Sequence, residues 1–188
     1  MVAAHFNRWA ATLLRALVLT AALAGTPGDD GVRAQTTSGD AVAKAKFTIT
    51  IARFVQWPPA APSGAPAPLK ICVLHNSPAL GAAFVALEGQ SISGRAVNVV
   101  QNPRDSVDCG LMFIDTSIAH RSVAAIAAAA NLPVLTLGAV DGFLSQGGMI
   151  ELANVNDSLR FDFNLRALRD ARMEVSSQVI QLARQVRN

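Results

Sequence analysis

The stretch that decides the fold is GLMFIDTSIAHRSVAAIAAAANLPVLTLG, residues 110–138. Its first part, 110–115, is a short apolar run typical of a buried strand, and 132–138 is a second run of the same kind. Between them, 117–130 is rich in alanine, which favours a helix. Two apolar strands joined by a helix are typical of a parallel sheet that is covered on both faces.

The same alternation continues on both sides of this stretch. KICVLH (70–75) predicts a strand, 78–87 a short helix and AVNVV (96–100) another strand. Downstream, 149–152 begins a strand, and LRFDF (159–163) alternates apolar and polar residues, as a strand with one buried face does. The polar ANVNDS (153–158) joins these two into an antiparallel hairpin. The sequence therefore predicts an α/β fold with a mostly parallel sheet, helices on both faces and an appended antiparallel hairpin.

Two adjacent glycines in FLSQGGMIEL (143–152) raise the question of a phosphate-binding loop. Such a loop follows a strand and precedes a helix, so that the helix amino terminus faces the anion. Here a helical turn, 140–146, precedes the glycines and a strand follows them. The order favours a turn, with Gly147 as a left-handed helix cap, over phosphate binding.

Helices are predicted at both ends of the domain. An apolar stripe that includes Phe47, Ile51 and Phe54 predicts a helix over 41–56, which ends at Trp57 because prolines follow. The Pro-rich stretch 58–68 is predicted to be a loop. At the other end we predict a helix over 164–174 and a second one in SSQVIQLARQV (176–186), whose apolar stripe docks on the sheet.

The amino-terminal 34 residues have the features of a secretory signal: a basic start, a short apolar run and small residues at two processing points, Ala24 and Ala34. We therefore expect a signal peptide over 1–34, cleaved after Ala34 or Ala24, and an exported single domain over 35–188. The formal charge of +3 is no argument for nucleic acid, because three basic residues belong to this segment.

If the protein is exported, its two cysteines are expected to meet an oxidising environment. Cys72 and Cys109 both begin apolar runs, and two strand cysteines in an oxidising compartment favour a disulfide. The alternative is a pair of buried free thiols. No metal site is expected, because the chain has no C-x-x-C or H-E-x-x-H motif and its three histidines are isolated. No cofactor is expected either.

Polar residues follow two of the predicted strands. His75 and Asn76 follow the first, and Asp115 and Thr116 follow the second. Ligands bind at the carboxyl ends of strands in parallel sheets, so these four residues form a candidate ligand crevice; the alternative is that the polar residues here cap the next helices. Asp115, Ser117 and His120 also suggest a hydrolase, but no G-x-S-x-G surrounds Ser117, and we assign no catalytic residue.

A candidate partner surface comprises residues near the helix ends and the glycine pair: Trp57, Phe143, Arg166, Arg169 and Arg172. The three arginines recur every third residue and so lie on one side of their predicted helix. An anion-binding surface and an ordinary solvated face both account for them.

Several segments together resemble the YfiR family of periplasmic regulators. They are FVQWP, ICVL, CGLMFI, PVLTLGAVDGFLSQGGMIEL and LRFDFNLRALRDARMEVSSQVIQLARQV, and the resemblance runs from Ala41 to the end of the chain.

The resemblance implies an exported, dimeric α/β protein without catalytic activity. Such a protein inhibits an inner-membrane diguanylate cyclase through the periplasmic domain of the cyclase, and an OmpA-like outer-membrane lipoprotein can sequester the inhibitor. Release of the cyclase then raises cyclic di-GMP and favours biofilm formation. Cys72 and Cys109 match the disulfide of the family, whereas a second cysteine pair of the family is missing here.

Overall fold

The computed structural model describes residues 30–59, 67–105 and 108–188, with side chains from residue 38 onward. The predicted signal peptide lies outside the described residues up to position 29, and so does most of the predicted Pro-rich loop, 60–66. By its contacts the chain divides into units 1–34 and 35–188, and the architecture below is that of the second unit. In the described part of the chain, no helix combines the length and apolarity that crossing a membrane requires.

The regular elements alternate along the chain as the sequence predicts. The helices are α1 (Asp30–Ala52), α2 (Pro78–Val85), α3 (Ser122–Ala129), α4 (Leu165–Asp170) and α5 (Ser177–Ile180), with 3-10 helices at Thr116–Arg121 and Phe143–Gln146. The strands are β1 (Val55–Gln56), β2 (Leu69–Leu74), β3 (Ser91–Ile92), β4 (Arg95–Gln101), β5 (Leu111–Ile114), β6 (Leu135–Gly138), β7 (Ile150–Val155), β8 (Ser158–Asn164), β9 (Glu174–Val175) and β10 (Gln185–Arg187).

One eight-stranded sheet organises the unit, in the order β10-β8-β7-β6-β5-β2-β4-β3. The five central strands from β7 to β4 run parallel, as does β10 beside β8. The pairs β7–β8 and β3–β4 are antiparallel. The predicted α/β class, the mostly parallel sheet and the appended hairpin are confirmed. The hairpin turns at Asn156 and Asp157, both at positive φ, as a two-residue type I′ turn requires.

Each face of the sheet has its own apolar layer, because alternate residues of every strand point to opposite sides. On one face, Leu69, Ile71 and Val73 of β2 pack with residues of α1, α2 and α4. On the other face, Cys72 and Leu74 pack with the 3-10 helix Thr116–Arg121 and α3. Helices therefore cover both faces of the sheet.

Two predicted helix boundaries are wrong. The helix predicted over 41–56 begins at Asp30 and ends at Ala52, because Val55 and Gln56 instead pair with β9 as a short antiparallel strand. The helix predicted over 164–174 stops at Asp170, and Arg172 adopts a left-handed φ of 58° before β9 begins.

The predicted carboxy-terminal helix over 176–186 is also wrong. Only Ser177–Ile180 is helical, and Gln185–Arg187 is an edge strand parallel to β8. Leu182, which the helical stripe placed against the sheet, is 70% exposed. The free edge of β8 offers backbone hydrogen bonds to this segment that a helix would leave unused.

Candidate functional site

The strand ends that were predicted to form the ligand crevice are neighbours in the sheet. β2 and β5 run parallel in a register that pairs Leu74 with Ile114, so His75 and Asp115 follow at equivalent positions. The chain leaving β2 enters α2 on one face, whereas the chain leaving β5 enters the 3-10 helix on the other face. This reversal is a topological switch point, the usual ligand position in open α/β sheets.

The two loops at this switch point are bonded to each other. The Asn76 backbone N–H donates to Ser117 Oγ at 3.0 Å, and the Ser117 backbone N–H donates to Asp115 Oδ2 at 3.0 Å. Asp115 therefore caps the 3-10 helix, in line with the capping alternative for these polar residues, and Ser117 joins the loops. These bonds hold the two loops together at the strand ends.

Charges on α1 reach the same strand end. The Lys44 ammonium lies 2.7 Å from Asp40 Oδ2 on its own helix and 3.7 Å from Asp115 Oδ1. The Asp115 side chain is almost fully buried, and Lys44 is the cation that compensates its charge. The contact fixes α1 against the carboxyl end of β5.

His75 is buried and held from two sides. Its backbone N–H donates to Asn102 Oδ1 at 2.9 Å, and its Nε2 lies 3.0 Å from Gln101 Oε1. Its Nδ1 is buried and has no hydrogen-bond partner among the described residues. Gly81 approaches the imidazole so closely that a Cβ there would collide with it.

The structure thus brings His75, Asn76 and Asp115 together but makes them bonding partners of the fold, while Thr116 is exposed. Four cavities of the described part are lined by residues other than these four. Ser117 Oγ meets a backbone N–H and Asp115 meets Ser117 and Lys44, so the contacts within 30–59, 67–105 and 108–188 do not include a Ser-His-Asp relay. No group of three His, Cys, Asp or Glu side chains in those ranges is placed to hold a metal.

The residues of the candidate partner surface have different environments. The prediction that Phe143 belongs to a partner surface is wrong. Phe143 is completely buried, so it is a core residue whose ring no partner can reach. Trp57 is half-buried, and its Nε1 donates to the Gly110 carbonyl at 3.0 Å. Arg166, Arg169 and Arg172 are exposed. The structure leaves these three arginines and part of Trp57 accessible to a partner.

The predicted disulfide is present. Cys72 and Cys109 are bonded, their Cα atoms lie 5.8 Å apart, and both residues are buried under the layer formed by α3. The bond ties β2 to the start of β5, across the segment that contains α2, β3 and β4.

An ion pair near the sheet edge was missed by the sequence reasoning. Asp162 is only 2% exposed and accepts two hydrogen bonds from the Arg184 guanidinium, one of them from Nε at 3.1 Å. The hydrogen bonds and the charge of Asp162 raise the pKa of Arg184, and the carboxylate of Glu151 adds to this. The alternation in LRFDF placed Asp162 on a solvated face. The only sequence signal for this pair is a single arginine, Arg184, near the carboxy terminus. Its distance along the chain from Asp162 matches no recognisable motif.

No curated protein matches the chain. The crystal structure of a conserved domain protein from Vibrio cholerae O1 biovar El Tor matches with 13% identity and a TM-score of 0.46, over 63% of this chain and 55% of the other. The ABC domain from Streptococcus pneumonia in complex with L-Trp matches with 11% identity and a TM-score of 0.49, over 76% of this chain and 61% of the other. This chain therefore spans little more than half the length of either structure.

The family comparison covers most of the chain. The sequence profile described as YfiR/HmsC-like matches residues 41–184. That range begins within α1, includes both cysteines and ends at Arg184, so it contains nearly the whole of the unit described above. The chain belongs to the YfiR/HmsC-like family.

Proposed function

We propose that this protein is a periplasmic negative regulator that binds the periplasmic domain of a membrane diguanylate cyclase and inhibits it. The observation that carries the proposal is the family match over 41–184, since proteins of this family are periplasmic regulators. The disulfide between Cys72 and Cys109 supports it, because such bonds persist in oxidising compartments.

The mechanism is a shift of a conformational equilibrium. A regulator that binds one state of the cyclase more tightly than the other shifts the population toward that state by the ratio of the two affinities. An affinity difference of about 1.4 kcal/mol changes the ratio of inactive to active cyclase tenfold. An OmpA-like lipoprotein that competes for the regulator reverses the shift, and the regulator acts as a homodimer.

The surface proposed for the partner is the one around α4. Arg166 and Arg169 are exposed on this helix, and Arg172 follows its end. None of the three takes part in an ion pair in the described part of the chain. Guanidinium groups without an internal partner are suited to carboxylates of another protein.

The test combines gene deletion with charge reversal. Deletion of the gene should raise cellular cyclic di-GMP, and the wild-type gene should restore the low level. A gene that carries Arg166→Glu and Arg169→Glu should restore it only weakly. The matched control, Arg160→Glu, changes an exposed arginine of β8 and should restore it fully.

Protein levels in the periplasm are measured for each variant, so that loss of folding is separated from loss of binding. An unchanged level of cyclic di-GMP after deletion would refute the proposed function. Full restoration by the α4 variant would refute only the assignment of the surface. Crosslinking in the periplasm should capture the cyclase and the lipoprotein with the wild-type protein.

A further inference from the structure

A cavity of about 290 Å³ lies beside the switch point, on the face of the sheet that α3 covers. Its floor is apolar and its rim is charged. The floor includes Leu74 and Met112 from the sheet and Ala128 from α3, and the rim includes Arg121 from the end of the 3-10 helix and Arg104 and Asp105 from the loop after β4.

The floor is part of the rigid core. Leu74 ends β2 and Met112 lies on the neighbouring β5, where it is the register partner of Cys72. Both side chains are buried in the apolar layer that contains the disulfide. An apolar ligand group that contacts them on the face covered by α3 would be removed from water. Burial of apolar surface is favourable by about 25 cal/mol per Å².

The rim carries two guanidinium groups from separate elements. Arg104 and Arg121 are both exposed, and the side chain of neither takes part in a hydrogen bond or ion pair among the described residues. Arg121 occupies the cap position of α3 but makes no capping bond with its side chain. Asp105 lies on the same rim and forms no ion pair with either arginine in the described structure, so both positive charges are available to a ligand.

The backbone just before Arg104 is anchored near the cavity. Asn102, two residues before it, donates its backbone N–H to the Val73 carbonyl at 2.8 Å and accepts from the His75 backbone N–H. Further along the same connection, Cys109 is bonded to β2. Arg104 therefore follows an anchored part of the backbone, and this lowers the entropy cost of ordering its side chain when it binds a ligand.

From this combination we propose that the cavity binds a small organic anion, either a carboxylate or a phosphate monoester, with an apolar body that rests on Leu74 and Met112. Paired arginines recognise both anion types through charge-assisted, often bidentate hydrogen bonds. The volume of about 290 Å³ is at the lower end of the usual range for ligand pockets, about 300–1,000 Å³, so a ligand with one aromatic ring suits it. The site is separate from the α4 surface of the proposed function.

Binding to the purified mature protein, measured by calorimetry with three matched probes, tests the proposal. Benzoate and phenyl phosphate carry the two anion types, and benzyl alcohol is their neutral counterpart. At least one anion should bind saturably and at least tenfold more tightly than benzyl alcohol. The anion that binds more tightly shows whether the site prefers a carboxylate or a phosphate monoester.

Variants locate the site. Arg104→Gln with Arg121→Gln should raise the dissociation constant of the anion at least tenfold, and Ala128→Leu should weaken all three probes by occupying the cavity. Arg160→Gln removes an exposed guanidinium elsewhere and should change nothing. Absence of saturable anion binding, equal binding of benzyl alcohol, or an unchanged constant in the double arginine variant would each overturn the proposal. Because no cyclase is present, this test and the test of the proposed function can fail independently.

Discussion

At the scale of single residues, the ring of Phe143 explains the glycine pair. A Cβ added to Gly148 or to Gly138 would collide with this ring, so both glycines serve a close approach of backbone to side chain. Gly147 has a different role, because its φ of 96° lies in the left-handed region where other residues are strained. The pair therefore satisfies two separate steric requirements of one turn.

We expect Gly148→Ala to destabilise the protein by about 1–3 kcal/mol, the usual cost of adding a carbon to a packed core. Gly39→Ala is the matched control, because Gly39 lies on α1 with open space around its Cα, and alanine there should stabilise by about 0.5–1 kcal/mol. Urea unfolding measures both. Phe143→Leu should reduce the cost of Gly148→Ala, and purely additive effects would argue against contact between the two residues.

At the scale of elements, β10 shows how tertiary contacts can override a helical pattern. Val179, Leu182, Ala183 and Val186 follow a helical spacing, yet Val186 lies in a strand paired with Phe163. Arg184 turns toward the buried Asp162 just before this strand begins. Charge pairing and the free edge of β8 together outweigh the weak propensity of a short amphipathic segment.

The ion pair between Arg184 and Asp162 is expected to stabilise the docking of β10 against β8. In Arg184→Ala the buried Asp162 carboxylate loses its partner, and we expect a loss of about 1–2 kcal/mol. This is the lower part of the usual range for bonds to charged groups, because 40% of the Arg184 side chain is exposed and water screens the pair. The hydrogen bonds to Asp162 raise the pKa of Arg184, so the guanidinium is charged and the pair is present at neutral pH.

Two measurements check this prediction. Chemical denaturation gives the stability, and amide hydrogen exchange should show lower protection of the Val186 and Arg187 amides in the variant. Arg160→Ala is the control on the adjacent strand, with an expected change within about 0.5 kcal/mol. Equal effects of the two substitutions would mean that the pair contributes nothing to the docking of β10.

At the scale of the whole molecule, the sequence predicted the sheet much better than its edges. Apolar runs such as ICVL and LMFI can be buried on both sides only in the middle of a layered fold, so their pattern determines their position. The short strands β1, β3, β9 and β10 have two or three residues each, and their pairing depends on neighbours that no local pattern contains. Prediction of the candidate sites has the same limit. The proximity of His75 and Asp115 follows from the order of the strands, which the sequence pattern indicates. The cavity below Arg104 and Arg121 depends on the path of a loop, which no local pattern indicates.

The disulfide joins residues 37 positions apart, so it acts on the whole molecule. Closing a loop of this length in the unfolded chain corresponds to about 4 kcal/mol, a large part of the usual stability of a domain. We expect Cys72→Ala with Cys109→Ala, and equally the reduced wild-type protein, to unfold at much lower urea concentration than the oxidised protein. The reduced wild type controls for the side-chain change, and thiol titration of the exported protein in denaturant without reductant should find no free thiol. A difference below about 1 kcal/mol would show that the connection from β2 to β5 is already restrained in the unfolded chain, since the entropy of that state is what the bond removes.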